Sequence, residues 1–244
     1  MRNTPFTAAL RSEWLKVRTA PSLAGNLSAV LVATVGIGAL VTAFLGEAES
    51  DSPGFEPVSF SFFGLNFGQV AAICFGVLAV AGEYGHGTIR LSLAAVPRRE
   101  TFYGAKLAVV GGLALAVGLP TGLATVAVGQ ALLGEHGVGL GDPGVLRAGF
   151  GCGIYLALLV LLSAGAAAAV RSTAGALGLL VPLVFLISPV VGEDAWFLPD
   201  RAGQQVLHPV PEGPLDAWTG LAVMAAWTAA ALCAGLIVLR RRDA

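Results

Sequence analysis

Charged residues are confined to a few short segments of this chain, and long uncharged stretches separate them. Asp, Glu, Lys and Arg are absent from six stretches of 21 to 28 residues, which are 19–46, 57–82, 107–134, 148–170, 172–192 and 217–239. A helix of about 20 apolar residues crosses the hydrocarbon layer of a bilayer. The pattern predicts an all-α integral membrane protein with six transmembrane helices, at about residues 23–45, 62–82, 107–133, 148–170, 173–192 and 217–239.

The fifth predicted span is the least regular of the six. Pro182 and Pro189 lie inside it, and only Arg171 with the following Ser-Thr pair separates it from the fourth span. Proline is tolerated in membrane helices when neighbouring groups satisfy the freed carbonyls. A single broken hairpin is the alternative, but the combined stretch is too long for one crossing, and we predict two spans.

Composition agrees with a membrane protein and excludes several other classes. Hydrophobic residues make up 56% of the chain, charged residues only 12%, and the mean hydropathy is +0.80, whereas soluble proteins carry about 25% charged residues. Neither a soluble globular domain nor a disordered chain has this composition, and a net charge of −1 does not suit a nucleic-acid-binding protein. Three cysteines without a CxxC pair indicate neither a disulfide framework nor a zinc site.

The distribution of charge predicts the orientation. If the N-terminus is cytoplasmic, every basic residue except Arg147 and Arg201 falls on the cytoplasmic side, which is 12 of 14, while 11 of the 15 acidic residues fall outside. The positive-inside rule therefore predicts two cytoplasmic termini. The predicted organisation is a cytoplasmic amphipathic segment at 1–22, one six-helix transmembrane domain at 23–239 and a basic cytoplasmic tail at 240–244.

Residues 6–18 predict a short amphipathic helix at the inner membrane surface. Its apolar residues share one helical face, and they are Phe6, Leu10, Trp14 and Val17. The pattern ends at Ala20-Pro21. Two interpretations remain open, a membrane anchor for the first span and a lever that contacts a cytoplasmic partner.

The segment 83–106 is the longest internal cytoplasmic segment that the topology predicts. Thr88 is a possible N-cap of a short helix that Pro97 ends, so the segment is either an interfacial connector or a docking element. Glu83 is the first charge after 26 uncharged residues. It either ends the span or forms a switching ion pair, for which Arg90, Arg98 and Arg99 are basic groups of the same segment.

The predicted spans contain no ionisable Asp, Glu, Lys, Arg or His. This absence disfavours a proton-coupled transporter, haem ligation by paired histidines and a serine–histidine intramembrane protease. Asn66 and Gln69 are the best candidates for residues that line a pathway, although hydrogen bonds between helices are the more ordinary role for such groups. Neither Lys16 nor Lys106 lies in a Walker loop, so we predict that the chain is not an enzyme and that any ATP hydrolysis occurs in another protein.

Three glycine pairs in the spans match the GxxxG helix-packing motif. They are Gly64/Gly68, Gly118/Gly122 and Gly149/Gly153. With 33 glycines in 244 residues, about four or five such pairs arise by chance, so the motif by itself predicts no contact.

Several segments together resemble a bacterial ABC type-2 exporter permease, the transmembrane subunit of an ATP-binding-cassette transporter. They are RSEWLKVRT at 11–19, GEYGHGTIRLSLAAVPRR at 82–99 followed by AKLAVV, FLPDRAGQQVL at 197–207 and the terminal LRRRD. The E-Y-x-x-G-T-I-R element, which begins at Glu83, is the most specific of these. The resemblance covers nearly the whole chain and includes the number of spans and the positions of the loops.

The resemblance implies a permease that pairs with a second permease subunit, either an identical copy or a related one, and that binds cytoplasmic ABC ATPase subunits. Those partners would bind ATP and magnesium, and this chain would bind no cofactor. The contact with the ATPase would involve Glu13, Trp14, Lys16, Glu83, Tyr84, His86, Thr88 and Arg90. An extracellular cap over the exit of the pathway would include Phe197, Pro199, Gly203 and Gln204.

These implications predict an ATP-driven exporter subunit in the bacterial cytoplasmic membrane. The expected partners are the lipid bilayer and the two kinds of subunit, without nucleic acid. The alternative is an integral-membrane sensor or scaffold that docks a cytoplasmic protein and transports nothing.

Overall fold

A computed structural model describes residues 5–85, 98–191, 196–210 and 213–241 of the chain. Every regular element in these ranges is helical, so the all-α prediction is confirmed. The helices are α1 (Pro5–Thr19), α2 (Pro21–Ser50), α3 (Pro57–Tyr84), α4 (Arg99–Leu133), α5 (Val145–Val170), α6 (Thr173–Ile187), α7 (Pro199–Gln204) and α8 (Ala217–Arg241). A turn at Ser188–Val191 continues α6, and 3-10 turns at Gly134–His136 and Gln205–Leu207 follow α4 and α7.

Five of these helices are long and apolar enough to cross a membrane. They are α2, α3, α4, α5 and α8, whereas α6 is a shorter apolar helix. The chain is therefore a multi-pass membrane protein by the length and composition of its helices.

The long helices extend beyond the uncharged stretches from which the spans were predicted. α4 begins at Arg99, although its uncharged stretch begins only at residue 107. A charged residue does not end a helix, because ion pairs and long flexible side chains satisfy its charge near the membrane surface. The bounds of an uncharged stretch therefore do not give the bounds of the helix that contains it.

A tight turn separates α5 from α6. Arg171 adopts a left-handed conformation with φ of 58°, and its N–H donates to the carbonyl of Ala167, which closes α5. Ser172 then caps α6, since its hydroxyl accepts a hydrogen bond from the N–H of Gly175. The two predicted segments are therefore two separate helices.

Proline and glycine modify two of the apolar helices without interrupting them. Pro182 precedes a π-helical turn at Leu183–Ile187 in α6, and a second π-helical turn occupies Val32–Ile37 in α2. Such turns absorb a lost or displaced backbone hydrogen bond. Pro120, by contrast, lies inside an uninterrupted α4.

α5 occupies the centre of the bundle and packs against α3, α4 and α8. Tyr155 and Cys152 on this helix are completely inaccessible. α2 packs against α3, α1 packs against α4, and α7 lies on α8. The outer helices leave large apolar side chains such as Phe44 and Ile237 exposed, as lipid-facing surfaces require.

Close backbone approach between α4 and α5 depends on glycine. A Cβ atom on Gly122 would overlap the carbonyl oxygen of Gly149, and one on Gly118 would lie 2.9 Å from the carbonyl oxygen of Gly153. Small residues permit this kind of crossing in membranes, where van der Waals packing holds helices together. Two of the GxxxG pairs therefore face each other across one helix crossing.

The two ends of the bundle differ in charge. At the end where α1 lies, which we call the basic end, the described basic residues are Arg11, Lys16, Arg18, Arg98, Arg99, Lys106, Arg171, Arg240 and Arg241. The opposite, acidic end carries Glu47, Glu49, Asp51, Glu56, Glu135, Asp142, Asp200 and Asp216. Charge is thus segregated in space as well as along the chain.

The two arginines at the acidic end both hold backbone or side-chain oxygens of the segment around α7. Arg147 donates to the carbonyl oxygens of His208 and Pro209, at 2.6 and 3.1 Å. Arg201 Nε donates to the hydroxyl of Ser188 at 3.2 Å. The two basic residues at the acidic end thus form hydrogen bonds that hold the segment around α7 against the bundle.

Candidate functional site

α1 turns a carboxylate toward the bundle and leaves its aromatic residues outside. Ala9, Glu13 and Val17 form the buried stripe of this helix, with Glu13 only 4% exposed. Phe6 and Trp14 are 42% and 49% exposed. The predicted apolar face is therefore divided, since Val17 packs inward while the two aromatic rings lie on the outer surface of the protein.

Glu13 belongs to a compact group of four charged side chains from three helices. Lys106 Nζ of α4 lies 2.5 Å from Glu13 Oε2 and 2.8 Å from Glu83 Oε1 of α3. Lys16 Nζ of α1 lies 2.6 Å from Glu13 Oε1 and 2.8 Å from Glu83 Oε1. Each ammonium thus bridges both carboxylates, and we call Glu13, Lys16, Glu83 and Lys106 the ionic cluster.

The ionic cluster is buried and its formal charges balance. The side chains of Glu13 and Lys106 are each 5% exposed, that of Glu83 is 12% exposed and that of Lys16 is 38% exposed. Lys106 also donates to the carbonyl oxygen of Ala79 at 3.2 Å, so its three donors all have acceptors. Removing Glu13 or Lys106, the two most buried members, would leave an uncompensated buried charge, which costs about 3–5 kcal/mol.

Phe102 closes the apolar side of the ionic cluster. It is 4% exposed, and the centre of its ring lies 5.6 Å from Lys16 Nζ and 5.4 Å from Lys106 Nζ. Phe102 stands one helical turn before Lys106 on α4, which places both side chains on the same face. The ring contributes cation–π attraction and excludes water from the ion pairs.

Lys16 stays protonated in this environment. Burial by itself would lower the pKa of Lys16, but hydrogen bonds to the carboxylates of Glu13 and Glu83 and their charges raise it above its ordinary value. The ammonium therefore persists throughout the physiological range. The ion pairs of the ionic cluster thus join α1, α3 and α4.

A cavity of roughly 250 Å³ adjoins the ionic cluster between these helices. Apart from the four charged residues its walls are apolar, with Val17, Leu78 and Val109 among them. Across the described ranges, no three His, Cys, Asp or Glu side chains are arranged to hold a metal ion. The arrangement favours a mechanical link between helices, because all its charged groups are engaged with one another.

Two further contacts join the ends of the helices around the ionic cluster. The guanidinium of Arg171, in the turn after α5, lies 5.2 Å from the centre of the Tyr84 ring at the end of α3. Arg99, the first residue of α4, donates to the carbonyl oxygen of Leu239 near the end of α8 at 2.5 Å. A cation at this position also stabilises the C-terminal end of the α8 dipole.

The residues predicted for ATPase contact are only partly described. Glu13, Lys16 and Glu83 meet in the ionic cluster. Tyr84 contacts Arg171, and Trp14 is exposed on α1. His86, Thr88 and Arg90 lie outside the described residues, as does the helix predicted to begin at Thr88. Their contact with an ATPase stays a prediction.

The two residues predicted to line a pathway occupy different environments. Gln69 is 2% exposed, and its Oε1 accepts hydrogen bonds from the Tyr155 hydroxyl at 2.7 Å and from Gln204 Nε2 at 3.2 Å. Asn66 is exposed and donates within its own helix, to the carbonyl of Phe63. Gln69 therefore joins three helices within the protein, while Asn66 faces outward near the acidic end.

The residues predicted to form a cap are packed onto the acidic end of the bundle. Pro199 is buried at the start of α7, and Gln204 contacts Tyr155 at 3.2 Å. A Cβ atom on Gly203 would overlap Met224 Sδ and lie 2.6 Å from Tyr155 Cδ2, so only glycine allows this close approach. The ring of Phe197 is 46% exposed, while its carbonyl accepts a hydrogen bond from Trp227 Nε1.

Asp200 of α7 is a buried carboxylate with an incomplete set of partners. It is 3% exposed, and its Oδ1 atom accepts no hydrogen bond from the described residues. Burial raises the pKa of Asp200, although a hydrogen bond from Ser188, the backbone N–H groups of Asp200 and Arg201 and the charge of Arg201 act against that shift. The charged form is therefore less favourable here than in the unfolded chain.

Replacing Asp200 by asparagine is expected to stabilise the protein near neutral pH. Because its folded-state pKa exceeds the unfolded value, the native state holds the proton more tightly, and stability falls as the pH rises from the unfolded pKa of about 4 through the folded pKa. Asp200→Asn removes this loss and should raise Tm in detergent by about 2–6 °C at pH 7. The gain should vanish below about pH 4.

Asp216→Asn is the matched control at the same end of the bundle. The exposed Asp216 carboxylate accepts hydrogen bonds from the N–H groups of Trp218 and Thr219, which lower its pKa. This substitution should therefore leave Tm unchanged or reduce it at pH 7. A lower Tm at pH 7 for Asp200→Asn would contradict the expected gain.

Lys106 and Phe102 are the main site residues that sequence reasoning did not identify. Lys106 is one of only two lysines in the chain and adjoins an uncharged stretch, a position that could have marked it as a partner for Glu83. Phe102 gives no comparable signal, because its contact with the lysines depends on the rotation of α4 against α1.

Protein-family models and curated proteins were compared with this sequence, and neither comparison finds a match.

Proposed function

We propose that this chain is the membrane-spanning permease subunit of an ATP-driven exporter in the bacterial cytoplasmic membrane. In this proposal α6, extended by the turn after it, is the sixth span. Two supports are the number of apolar helices and the resemblance of the segments that begin at Arg11 and Glu83. The chain itself is not an enzyme, and ATP and magnesium are bound by a separate cytoplasmic ATPase subunit.

The charge difference between the ends of the bundle supports a cytoplasmic location for both termini. With the basic end inside, α1 lies at the inner membrane surface, and α7 caps the outer side. Lys and Arg in short loops favour the cytoplasmic side of a membrane. The two basic residues that this orientation leaves outside, Arg147 and Arg201, hold the segment around α7.

The observation that carries the proposal is the ionic cluster. It joins the surface helix α1 to α3 and α4, and the resemblance assigns three of its members, Glu13, Lys16 and Glu83, to ATPase contact. A force applied to α1 would therefore pass directly into two membrane helices. Rigid-body movement of helices by such a force is the usual form of alternating access.

The substrate pathway in this proposal lies between two permease subunits. Asn66, exposed on α3, is a candidate lining residue at this surface. Gln69 is enclosed by Tyr155 and Gln204 and would instead connect the outer cap to α3 and α5. Movement of these helices would then reach α7 without a direct contact between substrate and Gln69.

Two exposed tryptophans, Trp14 at the basic end of the bundle and Trp218 at the acidic end, allow a matched crosslinking test. Trp14 and Trp218 are 49% and 62% exposed, so either can carry the photoreactive residue benzoylphenylalanine at little cost to packing. A third variant carries the photoreactive residue at His86. After irradiation of native membranes, the variants labelled at position 14 or 86 should crosslink to a protein with Walker motifs, while the variant labelled at position 218 should not. The chain purified alone should hydrolyse no ATP, and the complex should hydrolyse it.

The same experiment distinguishes the sensor or scaffold. That alternative expects crosslinks from Trp14 to a cytoplasmic protein without a nucleotide site. ATP hydrolysis by the isolated chain, or ATPase crosslinks confined to Trp218, would refute the proposal.

A further inference from the structure

A cluster of arginines lies at the basic end, where the start of α4 meets the end of α8, and it shares no residue with the ionic cluster. Arg98, Arg99, Glu100, Thr101 and Arg240 line an open pocket of roughly 660 Å³ there. None of the contacts proposed above uses it.

The pocket is strongly cationic and part of it is held rigidly. Arg99 donates to the carbonyl oxygens of Leu239 and Arg240, at 2.5 and 3.2 Å, which fixes its guanidinium against α8. Arg240 forms an ion pair with Glu100, which also lines the pocket. Arg98 is exposed at its edge. Among the described residues, the lining thus holds three guanidinium groups and one carboxylate.

An exposed apolar residue of α8 lies on the same helix face as the pocket lining. Ile237 is 48% exposed and stands three residues before Arg240, so the two side chains are neighbours on the surface of α8. An occupant that matches this surface has an anionic group at the level of the arginines and apolar chains beside Ile237. Guanidinium groups bind phosphate oxygens in a bidentate manner, and basic pockets between membrane helices suit anionic lipid headgroups.

We infer that the pocket between α4 and α8 binds the phosphate headgroup of an anionic phospholipid from the adjoining leaflet. The phosphodiester oxygens accept hydrogen bonds from Arg98 and Arg240, and the acyl chains lie along α8. Glu100 competes with the phosphate for Arg240 and sets an upper limit on the affinity. This inference requires only that the chain spans a membrane, and it holds whether or not the chain is an exporter subunit.

Binding is measured by native mass spectrometry of the full-length protein released from detergent, titrated with phosphatidylglycerol or with phosphatidylcholine. Arg98→Gln/Arg240→Gln should weaken phosphatidylglycerol binding by about 10- to 30-fold, since each basic group near an anionic surface contributes about a tenfold factor or less. Arg11→Gln/Arg18→Gln removes the same charge from exposed positions of α1 at the same end. That control should leave binding within about twofold.

Glu100→Gln should increase phosphatidylglycerol binding, a result that a misfolded protein would not give. It frees Arg240 from its competing carboxylate and should tighten phosphatidylglycerol binding several-fold. Equal binding of phosphatidylcholine, or equal losses in the two double variants, would overturn the inference. Displacement of the lipid by inorganic phosphate at matching concentration would assign the pocket to a free anion instead. Unchanged phosphatidylglycerol binding in Glu100→Gln would show that the lipid does not bind in this pocket.

Discussion

Lys106→Met is expected to lower the free energy of unfolding by about 3–5 kcal/mol. Methionine retains the length of the side chain and removes its charge, so the cluster's two carboxylates, Glu13 and Glu83, lose one of the two ammonium groups that bridge them. For a chain of this size the loss corresponds to a decrease of about 6–20 °C in Tm. Thermal unfolding of the detergent-solubilised protein measures the change.

A second variant separates the electrostatic effect from loss of packing. Glu13→Gln/Lys106→Met removes one charge of each sign and leaves Lys16 paired with Glu83, so it should be more stable than Lys106→Met alone. Glu100→Gln, which breaks the exposed pair with Arg240, should cost about 1 kcal/mol or less. Simple addition of the effects of Glu13→Gln and Lys106→Met would contradict the coupled arrangement of the ionic cluster.

Gly122→Ala is expected to have the next largest effect, a loss at the upper end of about 1–3 kcal/mol. The new Cβ would overlap the carbonyl oxygen of Gly149 and lie 2.8 Å from Cys152 Cβ. A backbone carbonyl cannot rotate away as a side chain can, so α4 and α5 must separate at their crossing. Tm and the detergent-resistant monodisperse fraction should both decrease.

Gly112→Ala is the control within the same helix. Apart from the adjoining backbone of α4, no described residue has an atom within 4 Å of a Cβ built on Gly112, so this substitution adds a methyl group in open space. Because alanine is a better helix former than glycine by about 1 kcal/mol, Tm should stay unchanged or rise. Equal losses for Gly112→Ala and Gly122→Ala would show that the close crossing is not what makes Gly122 important.

For Glu83, the sequence predicted the position of the carboxylate but not its ion-pair partners. Its position after a long uncharged stretch indicated a carboxylate near the membrane surface, and basic residues of its own segment were the natural partners to consider. In the structure it pairs with Lys16 and Lys106. Lys16 is 67 residues away along the chain and Lys106 is 23 residues away at the far end of the same segment, and only the rotation of α1 and the register of α4 bring them to Glu83.

The glycine pairs show the same limit in the hydrophobic part of the protein. The number of GxxxG matches in the chain does not exceed the number expected by chance, so the motif by itself did not single out Gly118/Gly122 or Gly149/Gly153. The structure brings these two pairs to one crossing, where a Cβ atom on Gly153 would lie 2.7 Å from the backbone of Leu119. A spacing of four residues specifies a helix face and does not specify which helix that face meets.

The sequence by itself determined the helical class, the positions of the apolar helices and the end of α1 before Pro21, because hydrophobic length, charge and proline act locally. Only the tertiary structure decided which residue of α1 points inward, how Lys106 is neutralised and which glycines touch. Those outcomes depend on the rotation and relative height of packed helices. Neighbouring rotations of an apolar helix differ little in hydrophobic burial, so specific ion pairs and close contacts select among them.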